Sequence, residues 1–188
     1  MSKNEIEFKA QQLIQEFQPD VLAGRTAFDI EEFCELDLKN KTGLSLHYSM
    51  QLPSGIHGLT SAADSVVMID AELAENPLNR KFLRSTMSHE VGHALLHVPT
   101  LKLARKMDIV FKQEKSHSEK INLYRKSDIP VYRNPEWQAW QFAGALLMPK
   151  QVLENLLKQG APIWVISEHF QINIPFLRSR MRALGFKN

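Results

Sequence analysis

The chain has 188 residues, 44% of them hydrophobic and 23% charged, with a formal charge of +2. That length supports one domain with a real core, and the balance is that of an ordinary soluble globular protein, which excludes a disordered chain. A charge this small is no footprint for nucleic acid, the single Cys34 permits neither a disulfide nor a cysteine-rich zinc knuckle, and no apolar run approaches the ~20 residues of a membrane span.

The opening MSKNEIEFKA has no apolar signal core, so a cytoplasmic location without membrane contact is expected. Apolar residues at Ile6, Ala10, Leu13, Ile14 and Phe17 keep helical spacing and end before Pro19. A second helix is predicted from the cap Asp29 through Lys39, stopping near Gly43, with Cys34 on its apolar stripe as a packing residue. From Leu44 the period changes to two. Leu44, Leu46 and Tyr48 alternate with polar neighbours, Pro53-Ser54-Gly55 marks a turn, and Ile56–Leu59 and Ser65–Ile69 read as two further strands of a small, mostly antiparallel sheet. His47 and His57 lie here and read most simply as exposed strand histidines.

The next stretch, Asn76 to Pro99, carries the chemistry. Asn76 suits a cap, Pro77 the first helical position and Pro99 the stop. Inside it, His89-Glu90-Val91-Gly92-His93 sets two imidazoles four residues apart on one helix face, able to converge on one cation, with Glu90 on the flank as a general base. This is the arrangement of a catalytic zinc site, in which Zn²⁺ takes neutral imidazole nitrogen at ~2.0–2.1 Å and keeps a position for water. Gly92 weakens the helix by about 1 kcal/mol relative to Ala, which points to a close approach by another backbone or a substrate.

Two histidines leave the site one protein ligand short. His97 is too far along the helix axis from His89, about 12 Å at ~1.5 Å per residue, for one ion to be held by both. Thr100 to Asn134 follows as a polar surface excursion containing Asp108, Glu114, His117, Glu119 and Asp128. Asn134-Pro135-Glu136 then opens a helix, WQAWQFAGALLMP, apolar on nearly every side. Of the candidate ligands Glu136 is the best placed, as a carboxylate on a helix that must be buried; the competing account is its favourable interaction with the helix N-terminus. Ala139 and Ala143 on the same face allow close packing against Gly92.

The remaining residues are expected to form three helices, through Val152, Leu153, Leu156 and Leu157 to Gly160, from Pro162 to Phe170, and from Pro175 to Leu184. Two short helices with a tight connection can read as a DNA-binding helix-turn-helix or as packing on the core; Arg178, Arg180, Arg182 and Lys187 read as a solvated face, with no direct contact with nucleic acid expected.

HEVGHALLH together with PEWQAWQFAGALLMP resembles the ImmA/IrrE family of bacterial and phage metallopeptidases. The resemblance extends to VVMID as the last strand of the sheet and to the ending FLRSRMRALG. It implies an α+β, zincin-like metallopeptidase over residues 1–188, its small sheet packed on a helical core. His89, His93 and Glu136 would bind Zn²⁺ and Glu90 would be the base. The implied partner is a helix-turn-helix transcriptional repressor, cut to relieve gene silencing in a phage, mobile element or stress response. The alternative is a non-catalytic protein that sequesters such a repressor, its metal site structural or vestigial. Many members have Asn where Trp140 stands here, and a shorter segment between the two motifs. His57, His97, Tyr124 and Tyr132 are candidate oxyanion stabilisers, with no basis for a choice among them.

Overall fold

The computed structural model describes residues 1–53, 55–101, 103 and 134–186. Helix α1 (Lys3–Phe17) begins with a reciprocal cap. The Ser2 hydroxyl accepts from the Glu5 N–H at 3.4 Å, and the Ser2 N–H donates to the Glu5 carboxylate at 2.6 Å. Its inner face, Ile6, Ala10, Leu13 and Ile14, is the one the spacing names. The second helix, α2, starts under the Asp29 cap (Ile30–Glu32), widens into a π-type turn (Phe33–Asp37) and finishes as α-helix (Leu38–Thr42). Gly43, at φ 73°, supplies the left-handed residue that ends it. Cys34 is buried, and burial pushes its thiol well above the usual range, in keeping with a packing role.

Strands β1 (Ser45–Ser49), β2 (Gly58–Ser61) and β3 (Val66–Asp70) form one sheet in the order β1-β3-β2. β2 runs antiparallel to β3, with Gly58 opposite Ile69 and Thr60 opposite Val67, whereas β1 runs parallel to β3. The sheet is therefore mixed, and the expected antiparallel arrangement holds for one of its two pairings. A short helix not anticipated from the sequence, α3 (Ala71–Glu75), follows β3 directly and is capped by the Asp70 carboxylate.

Asn76 and Pro77 open a 3₁₀ turn (Pro77–Asn79) before helix α4 (Arg80–Leu96), which ends three residues short of Pro99. Helix α5 (Pro135–Leu147) packs on both α4 and α1. With Ala139, Phe142, Ala143, Leu146 and Leu147 all at 0% exposure, it is the central element of the core. Helices α6 (Lys150–Lys158), α7 (Ile163–Phe170) and α8 (Ile174–Leu184) close the chain. Val152, Leu153, Ile166, Phe170, Leu177 and Met181 are buried in the same core as α1 and α4, so these helices pack on the body of the protein.

Arg180 overturns one expectation. It is buried rather than part of a solvated basic face: its guanidinium donates to both carboxylate oxygens of Glu7 on α1 and to the Met148 carbonyl. A charge at this depth requires such a partner, and Glu7, next to the buried Ile6 on α1, supplies it. Among the described residues no helix is long and apolar enough to cross a membrane.

Candidate metal centre

Helix α4 is pinned before it reaches the motif. The buried Arg84 guanidinium donates to the Phe28 carbonyl at 2.6 Å and to the Gln171 carbonyl at 3.1 Å, tying α4 to segments on either side. One turn later come His89 and Glu90, at 7% and 5% exposure, and then His93. Gly92 lies against α5. A Cβ built there would stand 3.0 Å from both the Cα and the carbonyl oxygen of Ala139, so the two backbones meet as closely as the sequence implies. That contact brings the first turn of α5 over the histidines. The turn itself is held by Asn134, whose side-chain oxygen accepts from the Glu136 N–H at 2.9 Å.

His89, His93 and Glu136 consequently form a group able to hold a metal ion. The two Nε2 atoms are 3.1 Å apart, one Glu136 oxygen is 3.3 Å from His89 Nε2, and the other is 3.2 Å from His93 Nε2. Ligands on a tetrahedral ion at ~2.0–2.1 Å are separated by about 3.3–3.4 Å, so the donor set and its spacing both fit Zn²⁺. Glu136 departs from expectation in its setting: its side chain is 60% exposed, because the first turn of α5 lies at the protein surface. The cluster is buried on the imidazole side and open on the carboxylate side.

Burial, and then the neighbouring His93, push His89 down to about 4, against the pull of Glu136. Burial also lowers His93 and His97. The imidazoles are thus neutral near pH 7, the form whose lone pair a metal takes. Glu90 moves the other way. Burial raises it to about 7, while the Thr60 hydroxyl, donating to its carboxylate at 2.7 Å, acts in the opposite sense. A carboxyl poised there is suited to accept and return a proton.

A model of the IrrE N-terminal-like domain, the Peptidase_M78 family, matches residues 32–182. The chain belongs to this family. No curated protein sequence matches it. Among solved structures, a Mycobacterium tuberculosis transcriptional regulator shares the fold, with a TM-score of 0.60 at 13% identity. The overlay takes in 95% of this chain but 46% of the regulator, so the chain spans less than half of that molecule.

Not every residue singled out in the sequence joins the group of His89, His93 and Glu136. His47 is exposed on β1, across the sheet from β2. His57, just before β2, pairs with Asp70 at 3.1 Å and lies edge-on to Phe82. Asp108, Glu114, His117, Glu119, Asp128, Tyr124 and Tyr132 lie outside the described residues, as does most of the polar excursion. Trp140 sets its ring 4.2 Å from that of His89, forming one wall of the site.

Sequence reasoning missed Gly58 and Thr60. A Cβ at Gly58 would stand 2.8 Å from the Glu90 side chain, and Thr60 holds the Glu90 carboxylate. The available signal was a glycine inside a strand, which marks close approach by another group.

Proposed function

We propose that the protein is a zinc-dependent endopeptidase acting on another protein, with His89, His93 and Glu136 as ligands and Glu90 as general base. The observation that carries this reading is the near-equal spacing of the three donors, 3.1 to 3.3 Å, beside a buried carboxylate raised to about 7. When bound, Zn²⁺ supplies Lewis-acid polarisation of a carbonyl and lowers the pKa of water to about 7. Glu90 takes the proton from the attacking water and returns it to the departing amine, with Thr60 holding the carboxylate in place.

The path for substrate is the free side of β2. This strand has a neighbour only in β3 among the described residues, and its Gly58 and Thr60 lie against Glu90. An extended peptide adding to that edge would pass the base, and main-chain pairing would hold it with little demand on its sequence. As a target we favour a helix-turn-helix repressor, the substrate class that the resemblance to ImmA/IrrE proteins implies; the transcriptional regulator that shares the fold is compatible with such a setting. Co-expression with the repressor encoded nearest to this chain tests the proposal. Cleavage by the wild type and none by Glu90→Gln supports it. Relief of repression by both, with the repressor intact, overturns catalysis and leaves sequestration as the mode of action.

A further inference from the structure

The imidazole of His93 has two faces, and only one meets the cluster. Its Nε2 points to Glu136 and His89, while its Nδ1 lies 3.0 Å from Nδ1 of His97. The other nitrogen of His97, Nε2, lies 3.1 Å from the side-chain oxygen of Gln138. Gln138 is buried, on the second turn of α5. The three side chains form a line from the core to the cluster.

An amide oxygen only accepts, so the proton between Gln138 and His97 sits on His97 Nε2. A neutral imidazole carries one proton. His97 Nδ1 is then an acceptor, and the contact of two Nδ1 atoms is a hydrogen bond only if His93 Nδ1 is the donor. His93 is left with a bare lone pair on Nε2, aimed at the cluster. We infer that His97 and Gln138 are positioning residues that fix His93 in the tautomer able to bind metal. The inference rests on the reading of the cluster as a metal site. His89 provides the contrast, since its buried Nδ1 has no hydrogen-bond partner among the described residues and its ring lies 4.2 Å from that of Trp140. Outer partners of this kind alter metal affinity by ~10–100-fold in other proteins.

The test uses the full chain labelled with ¹⁵N-histidine, together with zinc titration against a chelating competitor. In the metal-free wild type, long-range ¹H–¹⁵N correlations should place the proton of His93 on Nδ1 and that of His97 on Nε2. His97→Leu should release the His93 tautomer and weaken zinc binding by ~10–100-fold. His97→Asn, whose side-chain oxygen can stand where Nδ1 stood, should restore most of the affinity, and Gln138→Leu should free His97 to turn its proton towards His93. A wild-type His93 protonated on Nε2, or His97→Leu binding zinc as tightly as the wild type, overturns the inference while leaving the ligand set standing. Should the wild type take up no zinc, the metal reading falls and this inference with it. If the leucine variants do not fold, the wild-type tautomers alone decide.

Discussion

Gly92 and Ala139 touch backbone to backbone: a Cβ on the first would lie 3.0 Å from the carbonyl oxygen of the second. The approach sets how far the first turn of α5 reaches over α4, and hence where the Glu136 carboxylate falls relative to His89 and His93. One close contact in the core thus fixes the third corner of the cluster.

Gly92→Ala gains ~1 kcal/mol of helix propensity but forces the two helices apart. Overpacking of this kind costs ~1–3 kcal/mol, and neither neighbouring atom is the end of a flexible side chain. The expected outcome is net destabilisation by up to about 2 kcal/mol in chemical denaturation, with weaker zinc binding as Glu136 is carried away. Unchanged stability and affinity would show that the helices do not set the ligand geometry.

Glu90→Gln should stabilise the metal-free protein above neutral pH. The folded state raises this carboxyl from the ordinary value of 4.5 to about 7, so its contribution to stability is fully present below about 4.5 and is lost as pH rises through about 7. A permanently neutral glutamine escapes that loss, by an amount of order 1–3 kcal/mol. Thermal melts of both proteins in chelator should diverge towards pH 8 and converge near pH 4. Parallel melts at all pH values would place the Glu90 carboxylate in water.

His89 gives the opposite limb. Its folded value of about 4 lies below the ordinary 6.5, so the unfolded chain binds the proton more readily and stability is lost as pH falls from 6.5 towards 4. His89→Asn should flatten this acid limb in metal-free melts, and an undiminished limb would show that His89 is not its source.

Gly58→Ala separates the base from the ligands. The added methyl meets the Glu90 side chain at 2.8 Å and Thr86 at 2.9 Å, on the side of α4 facing β2. Zinc uptake should stay within a few-fold of wild type while cleavage falls by about 10²-fold, the lower end of what a general base contributes. Equal loss of both would mean that β2 supports the whole motif.

Arg180→Ala strands Glu7 and opens a void beside Gly144, where a Cβ would lie 3.1 Å from the arginine side chain. Removing one partner of a fully buried pair costs ~3–5 kcal/mol; with Glu7 partly exposed the loss should fall at or below the lower end of that range and still lower the denaturation midpoint clearly. Arg182→Ala, on the same helix but exposed, should cost less than about 0.5 kcal/mol.

Local rules carried much of the fold. The caps at Asp29 and Asn134, the stop at Gly43 and the apolar stripes of α1 and α5 all act within a few residues, and the helices stand close to where those signals put them. The HEVGH spacing likewise fixes which side chains share a face. What the sequence withheld depends on residues distant along the chain. The parallel pairing of β1 with β3, the burial of Arg180 against Glu7 and the seat of Thr60 on Glu90 each arise from folding in three dimensions. The apolar helix that Glu136 opens implies a burial its side chain does not have; its nearness to the histidines comes instead from the packing of Ala139 on Gly92.

That packing also separates two tasks. Because α4 and α5 are locked through their own surfaces, the joining stretch need not carry the information that aligns the carboxylate with the imidazoles. The alignment of the three side chains is thereby insulated from changes in chain length between the two helices.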